Sequence, residues 1–223
     1  MSIRHPIRSA PPVGSRHAKR SRPPTVNSSV SDPRPTVGSG LAVSNQEDMD
    51  AAVAAGWIPI CEGDGVIFSV RDEATIVARG SCHVVASGGA RVVAGANAEI
   101  TATDGSFVWA ADCAKVESSG FSRILASGRA MISSRGSSMV LADDLARVRA
   151  TGRSTVIANG QARVTASDTS RVVAHDYAEV EAYDGALVRA DGHTHVVAHD
   201  TSIVEAREAV ETISLDSSVV AHL

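Results

Sequence analysis

The amino-acid sequence predicts an all-β chain, a single-chain parallel β-solenoid built from eight-residue repeats and closed at its N-terminal end by a short capping helix. Three observations carry this. From Val66 to about residue 209 the chain repeats small–x–Val/Ile–x–Ala–x–Gly/Asp–x without an insertion. The third position of the octad is apolar in all eighteen repeats, from Phe68 and Ile76 through Val116 and Val164 to Val204, and the fifth is Ala in fifteen. Only 3% of the 223 residues are aromatic against 43% hydrophobic, so the interior must be thin and lined by Ala and Val.

Positions one, three and five of an octad share one face of a strand, because side chains alternate with period two. Position seven is Gly eight times and Asp eight times, residues that tolerate positive φ or close a turn with their own side chain. Each octad therefore reads as a short strand followed by a corner. Strands this short bury their apolar faces only by stacking coil upon coil. A helical interpretation fails, since Val and Ile dominate and the apolar period is two rather than 3.6.

The chain divides into three parts. Residues 1–40 form a basic arm, with Arg4, Arg8, Arg16, Lys19, Arg20, Arg22 and Arg34 against Asp32 alone, and with seven of the eight prolines. Such a segment has too little apolar surface to offset its ordering entropy and is expected to be disordered. Residues 41–65 are a cap: Ser44 or Asn45 starts a helix whose first turn carries Glu47, Asp48 and Asp50 against the positive end of the dipole, and Gly56 ends it. Trp57-Ile58-Pro59-Ile60 reads as a short edge strand. Residues 66–223 are the solenoid, and beyond Glu208 its octad slips, leaving Ile213 and Leu215 out of frame.

The outward fourth position bears on coil length. It is apolar in alternate octads, at Val93, Trp109, Leu125, Leu141, Ile157 and Val173, and polar in the intervening ones, at Thr101, Glu117, Ser133, Arg149, Thr165 and Glu181. That alternation suits two octads per coil and places one apolar stripe along one face. A coil of three octads is the alternative, because Val172-Val173-Ala174-His175-Asp176 recurs as Val196-Val197-Ala198-His199-Asp200.

The octads resemble the Ala-x-Val-x-Ala-x-Gly/Asp-x repeats of actinobacterial and phage β-solenoids and, more distantly, bactofilin-type polymer-forming solenoids. The resemblance implies architecture and brings no catalytic or binding motif with it.

Several chemistries are weighed against plainer alternatives. Asp168, Asp184, Asp200 and Asp216 would stack in sixteen-residue coils, and stacked carboxylates can hold calcium. The interchange of Asp with Gly at one position is, however, what a turn requires. His175 and His199 beside Asp176 and Asp200 would share a solvent face in a twenty-four-residue coil. No cofactor or metal is expected. Uninterrupted octads raise no loop over a cleft, and no Ser/His/Asp set, phosphate-cradling Gly-rich loop or HExxH is present, so the chain is expected not to be an enzyme. Ice binding wants outward Thr ranks, and only Thr101 and Thr103 form a pair.

Cys61, Cys82 and Cys113 lack metal-site spacing and suggest a reducing, cytoplasmic setting. No apolar run is long enough to span a membrane, and no membrane partner is expected. Charge is uneven: +6 over residues 1–40, +3 over 90–171 and −8 over 172–223, within a net −4. Three functions follow as expectations. The first is a structural or protein-interaction scaffold that offers the Val93–Val173 stripe to a protein partner or to a second copy. The others are nucleic-acid association through the basic arm, and carbohydrate or surface-polymer binding along the solenoid.

Overall fold

The computed structural model describes residues 40–207 and 209–223, so the basic arm from Arg4 to Arg34 lies outside the described residues. A two-residue strand β1 (Ala42–Val43) leads into helix α1 (Gln46–Ala54) and strand β2 (Ile60–Cys61). Twenty four-residue strands follow at eight-residue steps, from β3 (Ile67–Val70) and β4 (Thr75–Ala78) to β21 (Glu211–Ser214) and β22 (Val219–His222). Every strand pair is parallel. Even-numbered strands join β1 in a twelve-stranded sheet, and odd-numbered strands from β3 onward form a ten-stranded sheet. The chain is a parallel β-solenoid that crosses from one sheet to the other at each corner.

Pairing connects residues sixteen apart: Ile124 lies beside Val108 and Val140 in the twelve-stranded sheet, and Val148 beside Ile132 and Val164 in the ten-stranded sheet. Third-position Val and Ile and fifth-position Ala point inward from both sheets and are buried throughout, for example Val108, Ile124, Val140, Ala142 and Val156. Burial of each Val or Ile is worth about 1.5–3 kcal/mol. The small Ala on either side lets two sheets of this kind approach closely, and among the described residues Phe68 in β3 is the one aromatic ring buried between them. First-position serines are buried too. The hydroxyls of Ser122, Ser138, Ser154 and Ser202 donate to the carbonyl three residues earlier, at 3.0, 2.9, 2.8 and 2.7 Å, which ties each corner to the strand it starts.

The corners explain the Gly/Asp alternation. Every seventh position from Asp72 to Asp200 has positive φ, between 51° and 72°. Most corner donors find a carbonyl on the preceding coil: Gln161 N–H reaches Asp144 O at 2.8 Å and Arg163 N–H reaches Ala146 O at 2.9 Å. The N–H of the seventh position itself points along the stack. In most coils followed by a corner Asp, that carboxylate accepts the N–H: Gly128 to Asp144 at 3.0 Å, Gly152 to Asp168 at 2.8 Å and Gly160 to Asp176 at 3.1 Å.

The two ends differ. Asn45 caps α1 by accepting from Asp48 N–H at 2.9 Å. Gln46, in the first turn, lies against the exposed edge of β3. Its amide accepts from Ser69 N–H at 2.7 Å and donates to Ser69 O at 3.0 Å, as a neighbouring strand would. The edge strand expected at Trp57–Ile60 is displaced: only Ile60 and Cys61 pair, and Trp57 is 58% exposed.

At the other end the expected slip does not occur. Val219 pairs with Ile203 and Val220 with Val204, still sixteen residues apart, and Ile213 pairs with Val197 on the outward face. What changes is composition. Thr212, Ser214 and Ser218 hold inward positions, and the hydroxyls of Ser214 and Ser218 lie 2.7 Å apart. The terminal coil is in frame but polar inside.

Candidate interaction faces

Pairing at sixteen residues sorts the outward side chains into two unlike faces. On the twelve-stranded sheet the fourth positions align as Val93, Trp109, Leu125, Leu141, Ile157 and Val173, each beside the next. All six are half-buried. The structure thus brings every residue of the expected stripe into one column. Beside it run the second positions, where Phe107 packs on Trp109 with ring centroids 4.2 Å apart and Met139 and Leu187 add further apolar surface. Arg91, Arg123 and Arg171 interrupt that second column. At its C-terminal end the stripe stops at Arg189, whose guanidinium donates to Glu205 at 2.7 Å.

The ten-stranded sheet turns charge outward. Lys115 pairs with Glu99 at 2.9 Å, Arg163 with Glu179 at 3.1 Å, and His195 lies 3.3 Å from Glu211, each pair joining adjacent coils. The hydrogen bond from Lys115, followed by its charge, holds the Glu99 carboxyl below the usual carboxylate range. Between these pairs lies a concavity of about 550 Å³ lined by Lys115, Met131, Ser133, Arg147, Arg149 and Arg163, with Glu117, Glu179 and Glu181 at its ends. Sequence reasoning missed this grouping. Its signal was there: Arg147, Arg149 and Arg163 occupy outward positions of consecutive sixteen-residue coils.

The remaining candidates separate. His175 follows a strand of the twelve-stranded sheet and His199 one of the ten-stranded sheet, so the two imidazoles do not share a face. His175 Nδ1 lies 2.6 Å from Asp191, and His199 stacks on Tyr183 at 4.4 Å and 5°. Desolvation, then the nearby Glu181, pushes the Tyr183 phenol above its ordinary value. The Asp168–Asp184–Asp200–Asp216 column exists, but each carboxylate is turned onto the backbone N–H of the coil before it, at 2.8 to 3.5 Å. Among the described residues no three His, Cys, Asp or Glu side chains are grouped as metal ligands. No helix among them is long and apolar enough to cross a membrane.

Cys61 and Cys82 are buried next to each other, the Cys82 thiol 3.4 Å from Cys61 O, and Cys113 is exposed at a corner. Burial, then the neighbouring Cys82, pushes the Cys61 thiol up to about 12.

No protein-family model matches this chain, and neither a curated protein nor a solved structure matches it. The likeness of the octads to actinobacterial, phage and bactofilin solenoids finds no support from those comparisons.

Proposed function

We propose that this protein is a non-enzymatic scaffold whose twelve-stranded sheet docks flat against a protein partner or a second copy of itself. The observation that carries the proposal is the unbroken apolar column from Val93 to Val173, set beside Phe107, Met139 and Leu187 on a sheet whose opposite number is charged. A soluble surface rarely keeps a contiguous apolar strip without covering it. The flat, rigid sheet holds those side chains in place before contact, which lowers the ordering cost of association.

The absence of catalysis rests on architecture: corners of uniform length hold the described coils together, and none lifts a nucleophile and a base over a shared cleft. Three free thiols, two of them buried, support a cytoplasmic setting. A place among actinobacterial or phage solenoids remains part of this proposal and rests on the octad alone.

The test is light scattering coupled to size exclusion, at low and at high salt, on the full chain and on Leu125→Lys/Leu141→Lys. The expected result is a discrete assembly that persists at high salt, because apolar contact is not screened, and falls to monomer in the variant. A wild-type monomer that also retains no partner through this face would overturn it.

A further inference from the structure

A second binding surface lies on the opposite sheet. Arg147 and Arg163 occupy directly paired positions of adjacent strands, and Arg149 lies two residues along from Arg147 on the same outward face. Like charges set opposite one another in a sheet destabilise it. Arg163 is offset by Glu179 at 3.1 Å, whereas Arg147 and Arg149 make no ion pair among the described residues. Both line the concavity of about 550 Å³, where Lys115 adds a further cation and Ser133 and Thr165 flank Arg149 in the fourth-position column. Small hydroxyl residues between long cationic ones leave a hollow that is positively charged and can donate hydrogen bonds.

The limits of the hollow identify its ligand. Along the fourth-position column the order is Glu117, Ser133, Arg149, Thr165, Glu181. At about 4.8 Å per strand, the two acidic ends stand roughly 19 Å apart. A long polyanion running down the sheet would meet a carboxylate at each end. A compact one fits between them. Planar guanidinium forks match the oxygens of phosphoryl groups in bidentate fashion, and two unpaired ones side by side favour more than one such group. We infer that this hollow binds a compact oligoanion bearing two or three linked phosphoryl groups, held by Arg147 and Arg149 with Lys115 and Arg163 at the sides. The site is separate from the apolar face and stands whether or not that face docks.

The experiment is calorimetric titration of the full chain with inorganic tripolyphosphate at fixed ionic strength. Three variants accompany it: Arg147→Gln/Arg149→Gln in the hollow, Arg123→Gln/Arg171→Gln on the opposite sheet, and Arg16→Gln/Lys19→Gln/Arg20→Gln/Arg22→Gln in the basic arm. One-to-one binding is expected in the wild type, kept by the opposite-sheet and arm variants and weakened about tenfold or more by Arg147→Gln/Arg149→Gln.

A melting experiment guards against misfolding. Without ligand the hollow variant should melt no lower than the wild type, since it loses a like-charge contact. Tripolyphosphate should raise the melting temperature of the wild type and of the opposite-sheet and arm variants more than that of the hollow variant. Equal binding by the hollow variant and the wild type would overturn the proposal, as would loss of binding in the arm variant alone. So would a single-stranded DNA oligonucleotide that binds more tightly than tripolyphosphate and depends on Arg147 and Arg149, because the surface would then be a nucleic-acid track.

Discussion

The carboxylate of Asp168 accepts the backbone N–H of Gly152 at 2.8 Å, one coil back along the stack. The same contact recurs from Ala96 to Asp112 and from Asp184 to Asp200. An aspartate here performs two tasks at once. It takes the left-handed backbone that the corner demands, and it satisfies a donor that the strand ladders leave over. Glycine performs only the first.

Asp168→Ala should therefore destabilise the fold by about 1–2 kcal/mol, through the lost hydrogen bond and a Cβ at positive φ without a compensating contact. Asp168→Asn keeps an acceptor, and Asp168→Gly relaxes the backbone, so both should stay within about 0.5 kcal/mol of the wild type. Urea unfolding of the three variants checks the order. Equal losses in all three would remove the corner hydrogen bond from the account.

Gly152 tests the steric side of the same corner. Its φ is 69°, and an added Cβ would come within 3.1 Å of Gly136 N on the coil before. Gly152→Ala is expected to lower stability by about 1–2 kcal/mol. Gly56, also at positive φ but with open space around its missing Cβ, should suffer less from the same change. Thermal melting of the two variants compares them directly.

The core separates its two kinds of inward position. Val140 and Ala142 are both fully buried on one strand. Val140→Ala should cost about 2–3 kcal/mol by leaving a cavity, and Ala142→Leu should cost about as much by forcing the sheets apart. Denaturant titration is the measurement. A neutral Ala142→Leu would mean that the spacing between the sheets is not set by alanine.

Thiol chemistry should distinguish the cysteines. Cys113 is exposed, whereas Cys61 and Cys82 are buried with their thiols raised by desolvation, leaving little thiolate at neutral pH. A disulfide-exchange reagent should titrate one thiol in the native protein and all three in denaturant. Fast modification of all three under native conditions would show that the N-terminal cap opens.

Gln46 should protect a strand edge. Gln46→Ala frees the N–H and carbonyl of Ser69 that its amide now engages at 2.7 and 3.0 Å. Faster hydrogen exchange at Ser69 and slow self-association at high concentration are the expected consequences. Unchanged exchange would assign the protection to α1 as a whole and not to this amide.

Much of this architecture is legible because the octad has so few solutions. A residue such as Val148 can point only inward, and Gly152 stands where the chain must turn with positive φ. The misread end shows where pattern alone fails. Ile213 and Leu215 suggest a lost frame because apolar residues are assumed to face inward, yet Ile213 pairs with Val197 on the outer face while Thr212 and Ser214 take the interior. Thr212 and Ser218 are only half-buried there and Ser214 is exposed, so polarity is tolerated. Trp57 misleads for a related reason, being apolar but placed on the connection before β2. The Arg147–Arg149–Arg163 grouping stays hidden until the strand pairing is known, since it is assembled across coils.

Pairing at sixteen residues with strands at eight also limits how such a chain can change in length. Duplicating a sixteen-residue unit in the middle would add one coil and leave both columns of outward side chains continuous. Duplicating a single octad would send every later strand to the other sheet. After such a duplication just past Leu125, Leu141, Ile157 and Val173 would extend the column of Thr101 and Glu117, and Arg149 would extend the column of Trp109 and Leu125. A gene that keeps two unlike faces can grow only in even steps.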